Sequence, residues 1–146
     1  MARFFTKAEA ERLLAEVAPA IQDAIRSKAE YLQFEGRLQE LRRRVTMGGG
    51  VRIDRAAFLG IQQQRDSRAS ELKSAIDRVH GFGCLVKDLD KGLIDFPTLF
   101  HGREVYLCWK LGEHGIQFWH GVDEGFAGRK PVDQDFLDNH RGDAAN

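Results

Sequence analysis

Apolar residues in the first part of the chain recur at helical spacing. They are Leu14, Val17, Ile21, Ile25, Leu32, Leu38, Leu41 and Val45. This near-heptad pattern predicts a long amphipathic helix. The helix should begin at the motif TKAE, a capping box in which Thr6 and Glu9 satisfy each other's backbone N–H groups. Pro19 removes one backbone hydrogen bond and predicts a kink or break.

A second helical segment follows a glycine-rich stretch, MGGGVRID, which favours a loop. Asp54 can cap this helix, whose apolar positions are Ile61, Ala69, Leu72, Ile76 and Val79. The segments 20–45 and 55–80 have equal lengths on either side of the glycine loop. This arrangement predicts an antiparallel helical hairpin.

After Gly83 the pattern changes to short strands. CLVKDL and LIDF flank DKG, which predicts a hairpin with Gly92 at a positive φ and a strand that ends at Pro97. REVYLCWKL and IQFWHG form a second pair around GEHG. Apolar residues occur on both faces of these strands, so we expect one face to pack on the helices. The other face should be covered by the C-terminal loop, a partner or a ligand.

These patterns predict an α+β fold, with a long antiparallel helical hairpin packed on a small antiparallel sheet of about four strands. The length of 146 residues favours a single domain over 1–146. Its helical part is 1–80, and its β-meander and loop are 81–132. The remaining residues, 133–146, are expected to form a mostly flexible tail.

Composition narrows the classes of partner and compartment. The formal net charge is +0, and no apolar stretch reaches the length of a membrane span. The one basic cluster, RRR at 42–44 with Arg52, Arg55, Arg65 and Arg68, is interpreted as a solvated hairpin tip. We therefore expect neither nucleic acid nor membrane as a partner. The chain has two cysteines, and its N-terminal sequence does not resemble a signal peptide. This favours a cytoplasmic location with reduced thiols.

Motifs for common chemistries are missing from the sequence. There is no HExxH, CxxC or GxSxG motif, and the glycine clusters lack the remaining residues of a phosphate loop. Cys108 and His120 could form a thiolate pair, but a cysteine in the middle of an apolar strand is typically a small core residue. We therefore predict no catalytic residue, no metal site and no cofactor.

A polar set within the aromatic segment is harder to explain. Charged residues among apolar strands are costly unless they are paired or exposed. Internal salt bridges would satisfy them, or they would line a ligand pocket. In such a pocket Arg103 or Arg129 would hold an anionic group, and Trp109 or Trp119 would supply an apolar wall. The candidate ligand-binding residues are Asp95, Arg103, Glu113, Trp119, His120 and Arg129.

Four stretches carry a family resemblance: FTKAEAERLL, LDKGLIDFP, GREVYLCWKLGE and FWHGVDEGFAGRKP. They resemble the bacterial family known as domain of unknown function 2203. Ile94 stands where that motif has valine. The resemblance implies a bacterial cytoplasmic protein and supplies no activity, substrate or cofactor.

Two functions are consistent with the sequence. The first is a non-enzymatic binding or assembly module that self-associates through its helices, most simply as a dimer, and offers the aromatic surface of the sheet to a partner. The alternative is a protein that binds a small molecule or metal, and that could be an enzyme, with a polar site at the edge of the sheet.

Overall fold

A computed structural model describes residues 3–48 and 54–143. The chain divides into two compact units. Unit 1 consists of Met1–Ile21 together with Ile76–Asn146, and unit 2 is Gln22–Ala75. The single domain predicted for residues 1–146 stays a prediction.

Two long helices, α1 (Lys7–Gly48) and α2 (Arg55–Gly81), confirm the predicted helical hairpin. Of the kink or break expected at Pro19, the break does not occur, because α1 continues through this residue. Proline costs the helix one hydrogen bond at this position. Its neighbours Val17, Ala20 and Ile21 are buried, and their packing offsets that loss. Part of the predicted glycine loop, 49–53, lies outside the described residues.

Both predicted helix caps are present. The Glu9 N–H donates to Thr6 Oγ1 at 3.1 Å, and the Thr6 N–H donates to Glu9 Oε1 at 2.9 Å. Asp54 Oδ1 accepts from the backbone of Ala56 and Ala57 at 3.0 and 3.2 Å. These contacts satisfy N–H groups that a helix leaves without an internal partner.

The sheet lies in unit 1 and is antiparallel throughout. Its four main strands are β1 (Leu85–Asp88), β2 (Leu93–Phe100), β3 (Arg103–Lys110) and β4 (Phe118–Gly121), and these correspond to the predicted meander. Two short strands, β5 (Lys130–Pro131) and β6 (His140–Arg141), pair with β4 and β2 and bring the total to six. Gly92, between β1 and β2, has the predicted positive φ of 67°.

Pro97 does not end its strand, contrary to the prediction. β2 continues to Phe100, and Pro97 lies opposite Tyr106 of β3. On the other side of β2, the pairs with β1 reach only Asp95. On that side no strand pairs with β2 at Pro97, so the absence of an N–H there leaves no hydrogen bond between strands unmade. The Pro97 carbonyl accepts from the Phe5 N–H at 2.7 Å.

The flexible tail predicted for 133–146 is wrong for its described residues, which end at 143. Helix α3 (Gln134–Asn139) is capped by Asp133 and is followed by β6. Phe136 of α3 is fully buried and stacks on Phe100, with ring centroids 4.6 Å apart. Asp143 then pairs with Phe4 through two hydrogen bonds: the Asp143 N–H donates to the Phe4 carbonyl at 3.0 Å, and Asp143 Oδ1 accepts from the Phe4 N–H at 3.2 Å.

The two units differ in the size of their apolar cores. In unit 1 the sheet, Phe5 and the adjoining parts of both helices bury large side chains, and the rings of Phe5 and Phe96 meet edge to face at 5.5 Å. In unit 2 the buried apolar side chains among the described residues are Ala24, Leu38 and Ala75. Within the described ranges, neither long helix contains a segment apolar enough to cross a membrane.

Candidate functional site

The register of the sheet sorts the candidate residues onto its two faces. Asp95 lies opposite Cys108, and Tyr106 lies opposite His120. Residues paired in this way share a face, and side chains alternate along each strand. Asp95, Cys108 and His120 therefore share one face, whereas Trp119 lies on the other.

Asp95 and His120 form a buried pair. His120 Nε2 lies 2.9 Å from Asp95 Oδ1, and the two side chains are 1% and 2% exposed, respectively. The other ring nitrogen, Nδ1, lies 2.8 Å from the carbonyl oxygen of Gly121. A carbonyl oxygen can only accept, so Nδ1 carries a proton.

Cys108 completes a cluster of three. Its Sγ, a carboxylate oxygen of Asp95 and a ring nitrogen of His120 all lie within 4.8 Å of one another. Burial, together with the nearby carboxylate of Asp95, raises the pKa of the Cys108 thiol to about 11, although the guanidinium of Arg129 acts in the opposite direction. On its own, the thiol is therefore protonated at neutral pH and is not an activated nucleophile.

Glu113 and Arg129 form a second, separate pair. Arg129 Nη2 donates to Glu113 Oε1 at 2.6 Å and to the carbonyl of Cys108 at 3.3 Å. Its guanidinium carbon lies 4.1 Å from the ring centre of Phe118 and 4.7 Å from that of Phe126. This arrangement fastens the loop after β4 to the sheet.

Trp119 and Arg103 belong to neither pair. The Trp119 ring packs 5.2 Å from Phe136 and 5.1 Å from Phe100, on the face opposite His120. Arg103 begins β3 and is exposed. The six residues predicted as one ligand site therefore occupy four different places, and the structure brings them together only as Asp95 with His120 and Glu113 with Arg129.

Cys108 is the residue that the sequence-based site omitted. A two-residue turn, His101–Gly102, joins β2 to β3, and both residues have a positive φ, 52° and 76°. Such turns set the register of a hairpin. Counting outward from this turn would have placed Cys108 opposite Asp95. The turn was not predicted because β2 was expected to end at Pro97, three residues before its actual end at Phe100.

The hairpin of unit 2 has a polar seam. Arg65 Nη1 lies 3.0 Å from Glu35 Oε2, and Arg68 Nη1 lies 3.0 Å from Glu30 Oε2, and both pairs link α1 to α2. Near the tip, Arg43 and Arg44 lie 2.6 and 3.4 Å from Glu40. Four arginines of the predicted basic cluster are therefore paired with glutamates of the same hairpin. Arg52 lies outside the described residues.

Comparison with known proteins places the chain in a family without a described activity. No curated protein and no solved structure matches it significantly. One family model matches residues 3–132, which is nearly the whole chain and includes every candidate residue discussed above. The chain therefore belongs to the family described as "Uncharacterized conserved protein (DUF2203)".

Proposed function

We propose that this chain is a non-enzymatic assembly module that self-associates as a dimer through the hairpin of unit 2. The observation that carries the proposal is the imbalance between buried and exposed apolar side chains in this unit. Among its described residues only three apolar side chains are buried, and two of these are alanines. Leu32, Val45 and Leu59 are 55%, 38% and 49% exposed.

A hairpin with so few buried side chains has little hydrophobic stabilisation of its own. Small units gain the missing stability from disulfides, metals or association. The described seam contains ion pairs such as Arg65–Glu35, which are partly exposed and contribute modestly. A second copy that covers Leu32 and Leu59 would supply apolar burial in the usual way for a two-fold dimer.

The surface chemistry of the hairpin favours a second copy as the occupant. A groove of about 410 Å³ is lined by apolar groups of Leu41 and Ile61 and by charges of both signs, including Arg37 and Glu40. A surface that carries both signs can be its own electrostatic complement across a two-fold axis. A nucleic acid would require a uniformly basic surface instead.

The alternative, a small-molecule or metal site formed by all six candidate residues at the edge of the sheet, has less support. Its six residues do not surround one cavity, and four of them are engaged as Asp95–His120 and Glu113–Arg129.

The two described cysteines are free thiols. Free thiols support the cytoplasmic location that forms part of the proposal. The bacterial origin, which is also part of it, rests on the sequence motifs alone.

Sedimentation velocity over a range of concentrations tests the proposal. We expect the wild-type chain of 16.5 kDa to sediment as a dimer. Leu32→Glu and Leu59→Glu should each shift it toward monomer by placing a charge in the interface. Leu85→Glu is the matched control, because Leu85 is 43% exposed but lies in the sheet. A wild-type monomer at every concentration, or dissociation by the control alone, would overturn the proposal.

A further inference from the structure

We propose that Asp95, Cys108 and His120 form a binding site for one zinc ion in the interior of the sheet. These residues come from β2, β3 and β4, so the fold brings together a carboxylate, a thiol and an imidazole that are distant in sequence. This site is distinct from the proposed dimer surface, which lies in unit 2.

The donor atoms are close to the spacing that zinc requires. Zinc binds nitrogen, oxygen and sulfur donors at about 2.0–2.3 Å, which places tetrahedral donors about 3.3–3.8 Å apart. The three donors lie within 4.8 Å of one another, and the Asp95–His120 contact is 2.9 Å. Side-chain rotations that separate this contact slightly and bring in the sulfur would complete the geometry without moving the strands.

His120 is already oriented as a metal ligand. Its Nδ1–H donates to the carbonyl of Gly121 at 2.8 Å, which leaves Nε2 directed at Asp95. Metal-binding histidines usually donate their second ring N–H to a backbone carbonyl or carboxylate in this way. The hydrogen bond fixes both the tautomer and the ring orientation before any ion binds.

Charge balance also favours a divalent ion. With zinc bound, the carboxylate of Asp95 and the thiolate of Cys108 together neutralise its charge, and His120 is neutral. Binding displaces the thiol proton of Cys108, which passes to the buffer. A neutral assembly avoids the large cost of an uncompensated charge in the interior.

The donor set distinguishes zinc from the common hard cations. Calcium and magnesium prefer several oxygen ligands, whereas Asp95 supplies the only carboxylate of the cluster. Thiolate and imidazole suit zinc and its spectroscopic substitute, cobalt(II). Three protein ligands leave the fourth position of a tetrahedral zinc ion open.

Cobalt(II) titration followed by zinc competition tests the proposal on the untagged full chain after dialysis against a chelator. We expect one cobalt ion per chain, with a thiolate-to-cobalt charge-transfer band in the near ultraviolet that zinc abolishes. Cys108→Ala should remove the band. Cys84→Ala should retain it, because Cys84 is equally buried but donates to the Val79 carbonyl at 3.2 Å instead.

A second readout keeps the test decisive if Cys108→Ala fails to fold. Calorimetric titration of wild-type protein with zinc, in buffers of different ionisation enthalpy, should show proton release near neutral pH, because the Cys108 thiol loses its proton when it binds the ion. His120→Gln, checked for folding by circular dichroism, should weaken zinc binding at least tenfold. The proposal is overturned if the wild-type chain binds no zinc, if cobalt binds without a thiolate band, or if Cys108→Ala keeps that band.

Discussion

Asp95 Oδ1 and His120 Nε2 lie 2.9 Å apart between strands that are not neighbours in the sheet, since β3 separates β2 from β4. The contact therefore spans three strands on one face. Both side chains are almost completely excluded from solvent. Removing either side chain would therefore leave the other buried without this hydrogen-bond partner.

In metal-free protein, Asp95→Ala and His120→Ala should each lower the free energy of unfolding by about 3–5 kcal/mol, because each leaves an uncompensated polar group buried. The double variant should lose clearly less than the sum of the two. Urea unfolding of the four proteins in chelator measures the coupling between the two residues. Additive losses would show that they do not depend on each other.

Arg129→Lys should lower the free energy of unfolding by about 1–2 kcal/mol, although the positive charge is kept. Lysine cannot stack a planar group between Phe118 and Phe126 while also reaching Glu113. Lys130→Ala provides the comparison, since the Lys130–Glu124 pair is largely exposed and should contribute less than about 1 kcal/mol. Equal losses in thermal or chemical unfolding would contradict a specific role for the guanidinium.

Phe136→Ala should destabilise the protein by about 3–5 kcal/mol, because it removes a fully buried ring. The neighbouring Leu137 is 39% exposed, so Leu137→Ala should change the free energy of unfolding by about 1 kcal/mol or less. Urea unfolding of both variants compares the two positions. A small loss for Phe136→Ala would mean that α3 does not contribute to the core.

Cys84 should make the stability of the protein fall at alkaline pH. Burial raises the pKa of its thiol from 9.0 to about 12. The stability contributed by this protonated thiol is complete below pH 9, because both states are then protonated. It declines as pH rises toward the folded-state value, by up to about 1.4 kcal/mol per pH unit, since only the unfolded chain ionises.

Urea unfolding of wild type and Cys84→Ala between pH 7 and pH 11 measures this effect. The variant starts less stable because it leaves a small cavity, and the difference between the two proteins should shrink above pH 9. A difference that stays constant over the whole range would show that the Cys84 thiol ionises equally in both states.

The parts of this fold that depend on local pattern were predictable from sequence. Helical spacing, the caps at Thr6 and Asp54 and the strand alternation all report contacts between near neighbours. The helix that continues through Pro19 and the strand that continues through Pro97 have the same explanation: proline is costly only where its missing N–H is needed. The packing around Pro19 and the unpaired side of β2 at Pro97 depend on tertiary structure, so rules based on neighbouring residues cannot predict them.

The candidate site illustrates the same limit. Asp95 and His120 were selected because a polar residue within an apolar strand requires an explanation. Their grouping with Cys108 depends on the register across three strands. The β2–β3 register follows from the two-residue turn, whereas a longer connection joins β3 to β4 and sets no register by its length. The burial of Phe136 was missed because its partners, Phe100 and Trp119, are far away in sequence.

The hydrogen bonds between Phe4 and Asp143 affect the order in which the chain folds during its synthesis. Unit 1 combines a segment before unit 2 with a segment after it, so a chain emerging from the ribosome cannot complete unit 1 until synthesis has passed Asp143. Unit 2 is continuous in sequence, from Gln22 to Ala75. Because unit 2 can be complete while the later segment of unit 1 is still being synthesised, we expect the hairpin to fold first and the sheet unit to close only after Asp143 has emerged.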